Sequence, residues 1–158
     1  MNTSPLALKN IVAIGSIIIG GLAFCTNAVA GDTHPQFSVQ SNATRAIRSS
    51  VNAFHAGKFD KSVAYSRYAL KQGLKKSRRS VAYSNLCAAQ GVQGHFDKAM
   101  EACNQALEVD PANWQALSNR AAVHWLMDNK ANAKTDILAA KALNADAPEI
   151  RKNVKIFG

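Results

Sequence analysis

The sequence predicts an all-α fold, a helical-repeat superhelix of about three helix–turn–helix units followed by a C-terminal capping helix. Two observations support this fold class. Apolar residues recur every three to four positions over residues 43–158, and the whole pattern recurs with a period of about 34 residues. The chain has 158 residues, 47% hydrophobic and 18% charged, a composition that excludes a disordered polar chain and a multi-domain enzyme.

The first thirty residues predict a secretory signal peptide. Lys9 precedes an uncharged apolar run over residues 11–24, and the small residues Ala28 and Ala30 follow it. The run is about fourteen residues long, shorter than the roughly 20 residues that a membrane-spanning helix needs. We therefore expect cleavage after Ala30 and a periplasmic mature protein, and an uncleaved membrane anchor is the alternative. Cys25 follows a large residue, which argues against a lipoprotein.

Residues 31–42 have little periodicity, which predicts a mobile leader. Without residues 1–30 the chain keeps 18 basic and 10 acidic residues, a net charge of +8, and the excess lies within residues 31–79. The candidate basic patch consists of Arg67, Lys71, Lys75, Lys76, Arg78 and Arg79. This patch is either a solvated face or a site that attracts a polyanion or an anionic membrane surface. It lacks the interleaved aromatic residues that stack on bases, so we do not expect nucleic acid as a partner.

Residues 80–113 are the clearest copy of the repeat. Tyr83, Leu86 and Cys87 share one face of a first helix, and Gly94 supplies the backbone freedom for a turn. Pro111 ends the second helix because it has no amide hydrogen. The second helix carries its own stripe of small residues, Ala99, Cys103 and Ala106. Small residues on both helices predict an antiparallel pair in close contact.

This copy resembles the tetratricopeptide repeat family in its Tyr-x-x-Leu-Cys, Gly-His-Phe-x-x-Ala and Ala-Leu-Glu-x-Asp-Pro segments. A shift of one period gives a degenerate third unit, residues 114–146, in which Asp128 replaces the turn glycine. A slightly longer shift, which aligns Gly57 with Gly94, gives a first unit, residues 43–79, with its turn at Gly57. The three extra residues are expected in a longer loop over residues 73–80.

Residues 147–158 predict a seventh helix. Asp146 is placed as an N-cap with Glu149 three residues on, and Ile150, Val154 and Phe157 continue at helical spacing. The last unit of a stack exposes an apolar flank, so we expect this helix to cap the array. A frayed tail is the alternative, because so short a helix is marginal in isolation.

The family resemblance implies that the first helices line a concave surface that takes extended peptides or helices. Asn85 and Asn119 are one period apart and occupy the same position in adjacent units. Each amide could pair with the backbone of a ligand, or it could bond to a neighbouring helix. The small serine and alanine side chains around them leave space in the groove, and two aromatic rings could anchor a ligand. The candidate groove residues are Phe54, Ser84, Asn85, Ser118, Asn119 and Trp125.

Cytosolic chaperone-binding members of this family clamp a terminal carboxylate with lysine, asparagine and arginine side chains on the first helices. In this sequence Ile47 and Val51 stand where the first helix would offer lysine and asparagine. Asn85 fits the pattern, but one residue does not make a clamp. We therefore do not expect this activity.

Cys87 and Cys103 are predicted on facing helices of one repeat. In an oxidising compartment they could form a disulfide, and closing a loop of about seventeen residues adds about 3 kcal/mol in the chain-entropy account. The alternative is that both are small, buried core residues.

No group of residues in the sequence predicts catalysis, a cofactor site or a metal site, because the four histidines are scattered along the chain. We expect a non-enzymatic, exported scaffold, an adaptor or assembly factor of the bacterial envelope, that binds another protein through its concave face. The alternative function is a polyanion or membrane-surface binding module that uses residues 67–79. No stable membrane span is expected in the mature chain.

Overall fold

The computed structural model describes residues 34–41 and 44–157, and within these ranges it contains seven helices and no strand. The signal peptide predicted for residues 1–30 lies outside the described residues. The helices are α1 (Arg45–His55), α2 (Phe59–Leu70), α3 (Lys76–Val92), α4 (Phe96–Val109), α5 (Trp114–Leu126), α6 (Lys130–Leu143) and α7 (Pro148–Phe157). This architecture confirms the predicted all-α helical-repeat class.

The helices pack in sequence order. Helices α1 and α2, α3 and α4, and α5 and α6 form pairs, each joined by three residues, and every pair packs on the next. The first helices and α7 contact one another in turn, whereas no contact joins α2 to α4 or α4 to α6 in the described part of the chain. The stack is therefore curved, and α1, α3, α5 and α7 lie on its concave side.

The three turns inside the pairs share one geometry. Gly57, Gly94 and Asp128 have φ angles of 68°, 75° and 61°, the left-handed region. In each turn the N–H of this residue donates to the carbonyl three residues earlier, and the next N–H donates to the carbonyl five residues before it. Aspartate adopts left-handed backbone more readily than most residues with a side chain. The third unit therefore keeps the turn although it lacks the glycine.

Small side chains fill the contact between paired helices. Ala99 on α4 is fully buried, as are Cys87 on α3 and Cys103 on α4 in the same cluster. The positions that the one-period shift assigns to the core of the third unit are also buried, namely Leu117, Ala121, Ala133, Ile137 and Ala140. Short side chains let the helix axes approach closely, which sets the curvature of the array.

The segment between the first and second units differs from the expectation of a longer loop over residues 73–80. Helix α3 begins at Lys76, so the extra residues form its first turn. Ser80 is fully buried at the end of this turn, where its hydroxyl donates to the carbonyl of Ala106 and accepts from the side chain of Asn113. Residues 76–80 contain no glycine or proline, and the anchored Ser80 continues this first turn into the rest of the helix.

Helix α7 lies at the position expected for the capping helix. Ile150 and Phe157 are buried in the cluster that contains Leu117 of α5. The ring of Phe157 stacks on that of Trp125, with centroids 4.9 Å apart. Burial of these apolar groups supplies the docking that a ten-residue helix needs to persist.

An ion pair ties three helices of the C-terminal half together. Arg120 on α5 makes a bidentate contact with Asp136 on α6, at 2.7 and 2.8 Å, and also donates to Asn104 on α4. The hydrogen bond to Asp136 raises the pKa of Arg120. Burial lowers the pKa of His124, whose imidazole Nε2 lies 3.9 Å from Asp136; attraction to that carboxylate opposes the shift, and Arg120 reinforces it.

We expect Ala99→Leu to lower the free energy of unfolding by about 1–3 kcal/mol, because the larger side chain must fit where α3 and α4 meet. Thermal unfolding followed by circular dichroism measures the effect. Ala142→Leu, at an exposed position of α6, is the matched control and should leave the melting temperature nearly unchanged. Equal melting temperatures for the two variants would contradict the close contact at Ala99.

We expect the stability of the protein to fall as the pH drops below the usual histidine pKa of 6.5, because the unfolded chain then takes up a proton that folded His124 resists. Urea unfolding at about pH 7.5 and about pH 5.5 measures the difference. His124→Gln should make that difference smaller, while His95→Gln, at an exposed turn residue, should not. An undiminished difference in His124→Gln would show that other groups cause it.

Candidate peptide-binding groove

The concave face is occupied by part of the chain itself. Residues 36–40, here called the leader segment, run in extended conformation across α7, α5 and α3. Three asparagines hold it, each through both atoms of its amide. The pairs, with N···O distances of 2.7 to 2.9 Å in both directions, are Gln36 with Asn153, Ser38 with Asn119, and Gln40 with Asn85.

The hydrogen bonds to the asparagines use only the main chain of the leader segment. In each pair the backbone N–H donates to the asparagine Oδ1, and the asparagine Nδ2 donates to the backbone carbonyl of the same residue. Asparagine suits this role because its amide carries an acceptor and a donor side by side, whereas a carboxylate could only accept. We call Asn85, Asn119 and Asn153 the asparagine ladder.

The ladder matches the geometry of an extended peptide. Each repeat moves the contact by two residues of the leader segment, a step of roughly 6.6–6.8 Å along extended chain. Alternate residues of such a chain point their N–H and C=O groups to the same side. The leader runs against the order of the repeats, from α7 to α3. With the leader in place, all three ladder asparagines are fully buried.

Asn85 and Asn119 were predicted for this role, whereas Asn153 was not. The sequence signal for Asn153 is the same one-period shift that relates Asn119 to Asn85. Residues 147–158 were predicted only as a capping helix, without a place in the ladder. In the structure α7 supplies the third rung of the ladder as well as covering the apolar flank.

Serines connect the rungs of the ladder. Nδ2 of Asn119 also lies 3.3 Å from the carbonyl oxygen of Ser84, and Nδ2 of Asn153 lies 3.2 Å from the hydroxyl oxygen of Ser118. These contacts orient the amides of Asn119 and Asn153 through serines of the preceding unit. Asn119 therefore bonds to a neighbouring helix, one of the two roles predicted for it, and also pairs with the backbone of the chain's own leader; pairing with the backbone of a ligand stays a prediction.

The leader segment lies within residues 31–42, for which the sequence predicts a mobile leader; residues 31–33 and 42 lie outside the described residues, and mobility stays a prediction. Its sequence has no helical periodicity, but six main-chain hydrogen bonds to the ladder make periodicity unnecessary. Phe37 adds an apolar contact, because its ring packs against two core clusters of the stack. These interactions hold residues 36–40 in one place.

The two predicted aromatic anchors have intramolecular partners. The ring of Phe54 lies edge-on to those of His55 and Phe59, with centroids 5.9 and 5.4 Å away. Trp125 stacks on Phe157, and the ammonium group of Lys130 lies 3.8 Å from the centroid of its ring. Both rings stabilise the ends of the array in this structure.

The structure divides the basic segment among different clefts. Lys75 and Arg78 border a cleft of about 560 Å³ beside α1 and α2. Arg67 borders another cleft together with Glu101, and Arg79 borders a third together with Glu108. Glu101 and Glu108 therefore lie near Arg67 and Arg79, and binding through the candidate basic patch stays a prediction.

Cys87 and Cys103 are joined by a disulfide between α3 and α4. Their Cα atoms are 5.2 Å apart, within the range that a disulfide requires, and both residues are fully buried. The bond lies behind the groove and fixes α3, the helix that carries Asn85.

No group of three or more His, Cys, Asp or Glu residues is arranged to hold a metal ion within residues 34–41 and 44–157. In the same ranges no helix combines the length and hydropathy that crossing a membrane would require.

Residues 80–113 match the sequence pattern of the family described as Tetratricopeptide repeat. The similar solved structures are tetratricopeptide-repeat (TPR) domains. This chain has the TPR fold. A search of curated protein sequences found no significant match.

Three solved TPR structures illustrate the similarity. The first TPR of Spaghetti (RPAP3), bound to the HSP90 peptide SRMEEVD, is 18% identical, with a TM-score of 0.64, and the match covers 74% of this chain and 95% of that one. The TPR2B domain of yeast Sti1, in complex with pHsp70, is 22% identical, with a TM-score of 0.62 and coverage of 71% and 90%. The Arabidopsis OM64 TPR domain is 21% identical, with a TM-score of 0.61 and coverage of 70% and 88%.

The residues that replace the carboxylate clamp in the first unit belong to the core of the TPR stack. Ile47 is fully buried in a core cluster with Ala69 and Ala82, and Val51 is 8% exposed. Apolar, buried side chains cannot neutralise a carboxylate, which agrees with the departure that the sequence shows.

We expect loss of the disulfide to lower the free energy of unfolding by about 3 kcal/mol. The Cys87→Ala/Cys103→Ala double variant and the wild type with reductant should both melt at a lower temperature than the oxidised wild type. Thiol labelling after denaturation provides the control: neither cysteine should react until a reductant is added. Free thiols at Cys87 or Cys103 in the denatured, unreduced protein would contradict the disulfide.

Proposed function

We propose that the protein is an exported, non-catalytic TPR scaffold whose concave face binds an extended segment of another protein. One observation carries this proposal: three asparagines of the groove pair with the main chain of residues 36–40 through six hydrogen bonds. A site that pairs with peptide N–H and C=O groups accepts an extended backbone whatever its side chains are.

The structural relatives support a peptide as the partner. The Spaghetti TPR is bound to an HSP90 peptide, and the yeast Sti1 domain is in a complex with pHsp70. The chemistry of the site differs in this chain, because a ladder of neutral amides replaces the basic clamp. We therefore propose an internal or terminal extended segment as the ligand, without a requirement for a terminal carboxylate.

Two features support export. Residues 1–30 have the charge and hydropathy order of a signal peptide, and the disulfide between Cys87 and Cys103 is a bond that persists in an oxidising compartment. We propose that the mature protein acts in the bacterial envelope as an adaptor or assembly factor.

Photo-crosslinking in intact cells, with identification of the captured protein, tests this function. In a chain that also carries Phe37→Ala, so that its own leader competes less for the groove, we expect Asn85→Ala/Asn119→Ala to reduce the captured amount about tenfold or more, since the change removes the partners of four hydrogen bonds of about 0.5–1.5 kcal/mol each. Asn52→Ala, at an exposed position of α1, is the matched control and should capture as much as Phe37→Ala alone.

Added salt separates this function from binding through the basic segment. Capture through the ladder should change little with ionic strength, because its hydrogen bonds join neutral groups. Capture that collapses in high salt and survives the asparagine substitutions would replace the proposed function with polyanion or membrane-surface binding.

A further inference from the structure

The ring of Phe37 occupies a place that only a glycine leaves open. A Cβ atom added to Gly91 on α3 would lie 2.6 Å from Cζ of this ring and 3.2 Å from its Cδ1. Gly91 is itself in the helix and has no left-handed φ, so its backbone does not require glycine. The contact with Phe37 is therefore the feature of this position that excludes a side chain.

The register of the leader places the ring between two rungs of the ladder. Asn153 pairs with Gln36 and Asn119 pairs with Ser38, so Phe37 is the residue between them. Because side chains alternate along extended chain, the ring points to a different face from the side chains of its two neighbours. The groove thus combines hydrogen bonds to the main chain of the peptide with one pocket that binds an aromatic side chain.

The leader side chains at the ladder positions contribute little. The hydroxyl of Ser38 is buried and has no hydrogen-bond partner. The side chain of Gln40 is on an exposed residue, although its main chain is held by Asn85. Recognition at these positions rests on N–H and C=O groups, so the aromatic residue is the one that distinguishes this segment from any other extended peptide.

We propose that the leader segment stands in for the ligand of the groove, and that the partner segment is an extended chain with an aromatic residue that displaces the leader and fills the Gly91 pocket. This inference rests on the proposed function and names its ligand class. A partner of this kind reproduces every contact that the leader gives up, so the exchange leaves no ladder amide unpaired.

The same arrangement makes the leader a competitor. A covalently attached segment that occupies the groove reduces the apparent affinity for any other segment by the fraction of time that it is bound. Weakening the leader should therefore strengthen the binding of a peptide added in solution, provided that the ladder and the pocket are intact.

Fluorescence anisotropy with a labelled synthetic peptide tests the exchange. The probe has the sequence of residues 34–42, His-Pro-Gln-Phe-Ser-Val-Gln-Ser-Asn, and a second probe carries alanine in place of phenylalanine. The protein is expressed from its full sequence and used as the cell processes it. Circular dichroism establishes that each variant is folded.

We expect the Phe37→Ala protein to bind the first probe about tenfold or more tightly than the wild type does, because its own leader competes less. The alanine probe should bind this variant about tenfold or more weakly than the first probe, because it leaves the pocket empty. Adding Gly91→Ala to Phe37→Ala should abolish the preference for the aromatic probe, since a Cβ then stands where the ring would lie.

Two substitutions of Ser38 test whether the groove recognises the main chain of the leader, and neither changes the ring of Phe37. Ser38→Pro removes the N–H that donates to Asn119, so this variant should also bind the probe more tightly than the wild type. Ser38→Ala removes only the unpartnered hydroxyl and should bind as the wild type does. These two variants test the competition even if Phe37→Ala fails to fold.

The outcomes separate this inference from the function on which it rests. Equal binding of the probe to the wild type, Phe37→Ala and Ser38→Pro would overturn the competition, and equal binding of the two probes to Phe37→Ala would overturn the aromatic pocket. Neither result would contradict the proposed function, which is tested separately by crosslinking that depends on Asn85 and Asn119. Conversely, if the probe binds as expected but the asparagine substitutions leave cellular capture unchanged, the exchange stands and the proposed function fails.

Discussion

A buried peptide backbone must have its N–H and C=O groups paired, and this requirement organises the concave face of the protein. The leader segment has neither a helix nor a sheet to satisfy its main chain. Asn85, Asn119 and Asn153 do so instead, each with one donor and one acceptor. The groove is consequently specific for extended chain, because only alternate residues of an extended segment meet the ladder in register.

The spacing of the ladder depends on how the helices pack. One asparagine per first helix meets every second residue of the peptide only if those helices are close neighbours on the inner side of the curve. Small buried residues such as Ala99 and Ala121 allow the close approach, and the disulfide ties α3 to α4. The core behind the groove thus determines which backbone conformation the groove accepts.

The site divides recognition between two kinds of contact. Hydrogen bonds to the main chain give affinity that is independent of sequence, and the pocket at Gly91 adds a requirement for an aromatic ring. A segment of the chain's own leader meets both conditions. Access to the groove is therefore an exchange between two extended segments, which links the position of the leader to the proposed function.

The sequence by itself determined the helices, their pairing, the period that equates Asn85 with Asn119, and the facing positions of Cys87 and Cys103, because these follow from patterns that repeat along the chain. Only the tertiary structure decided where the leader lies and that Asn153 completes the ladder. Gln36 and Asn153 are 117 residues apart, and the leader has no periodicity. The position of an extended segment is determined by the groups that pair with its backbone. These groups come from distant parts of the chain, and only the folded structure brings them together.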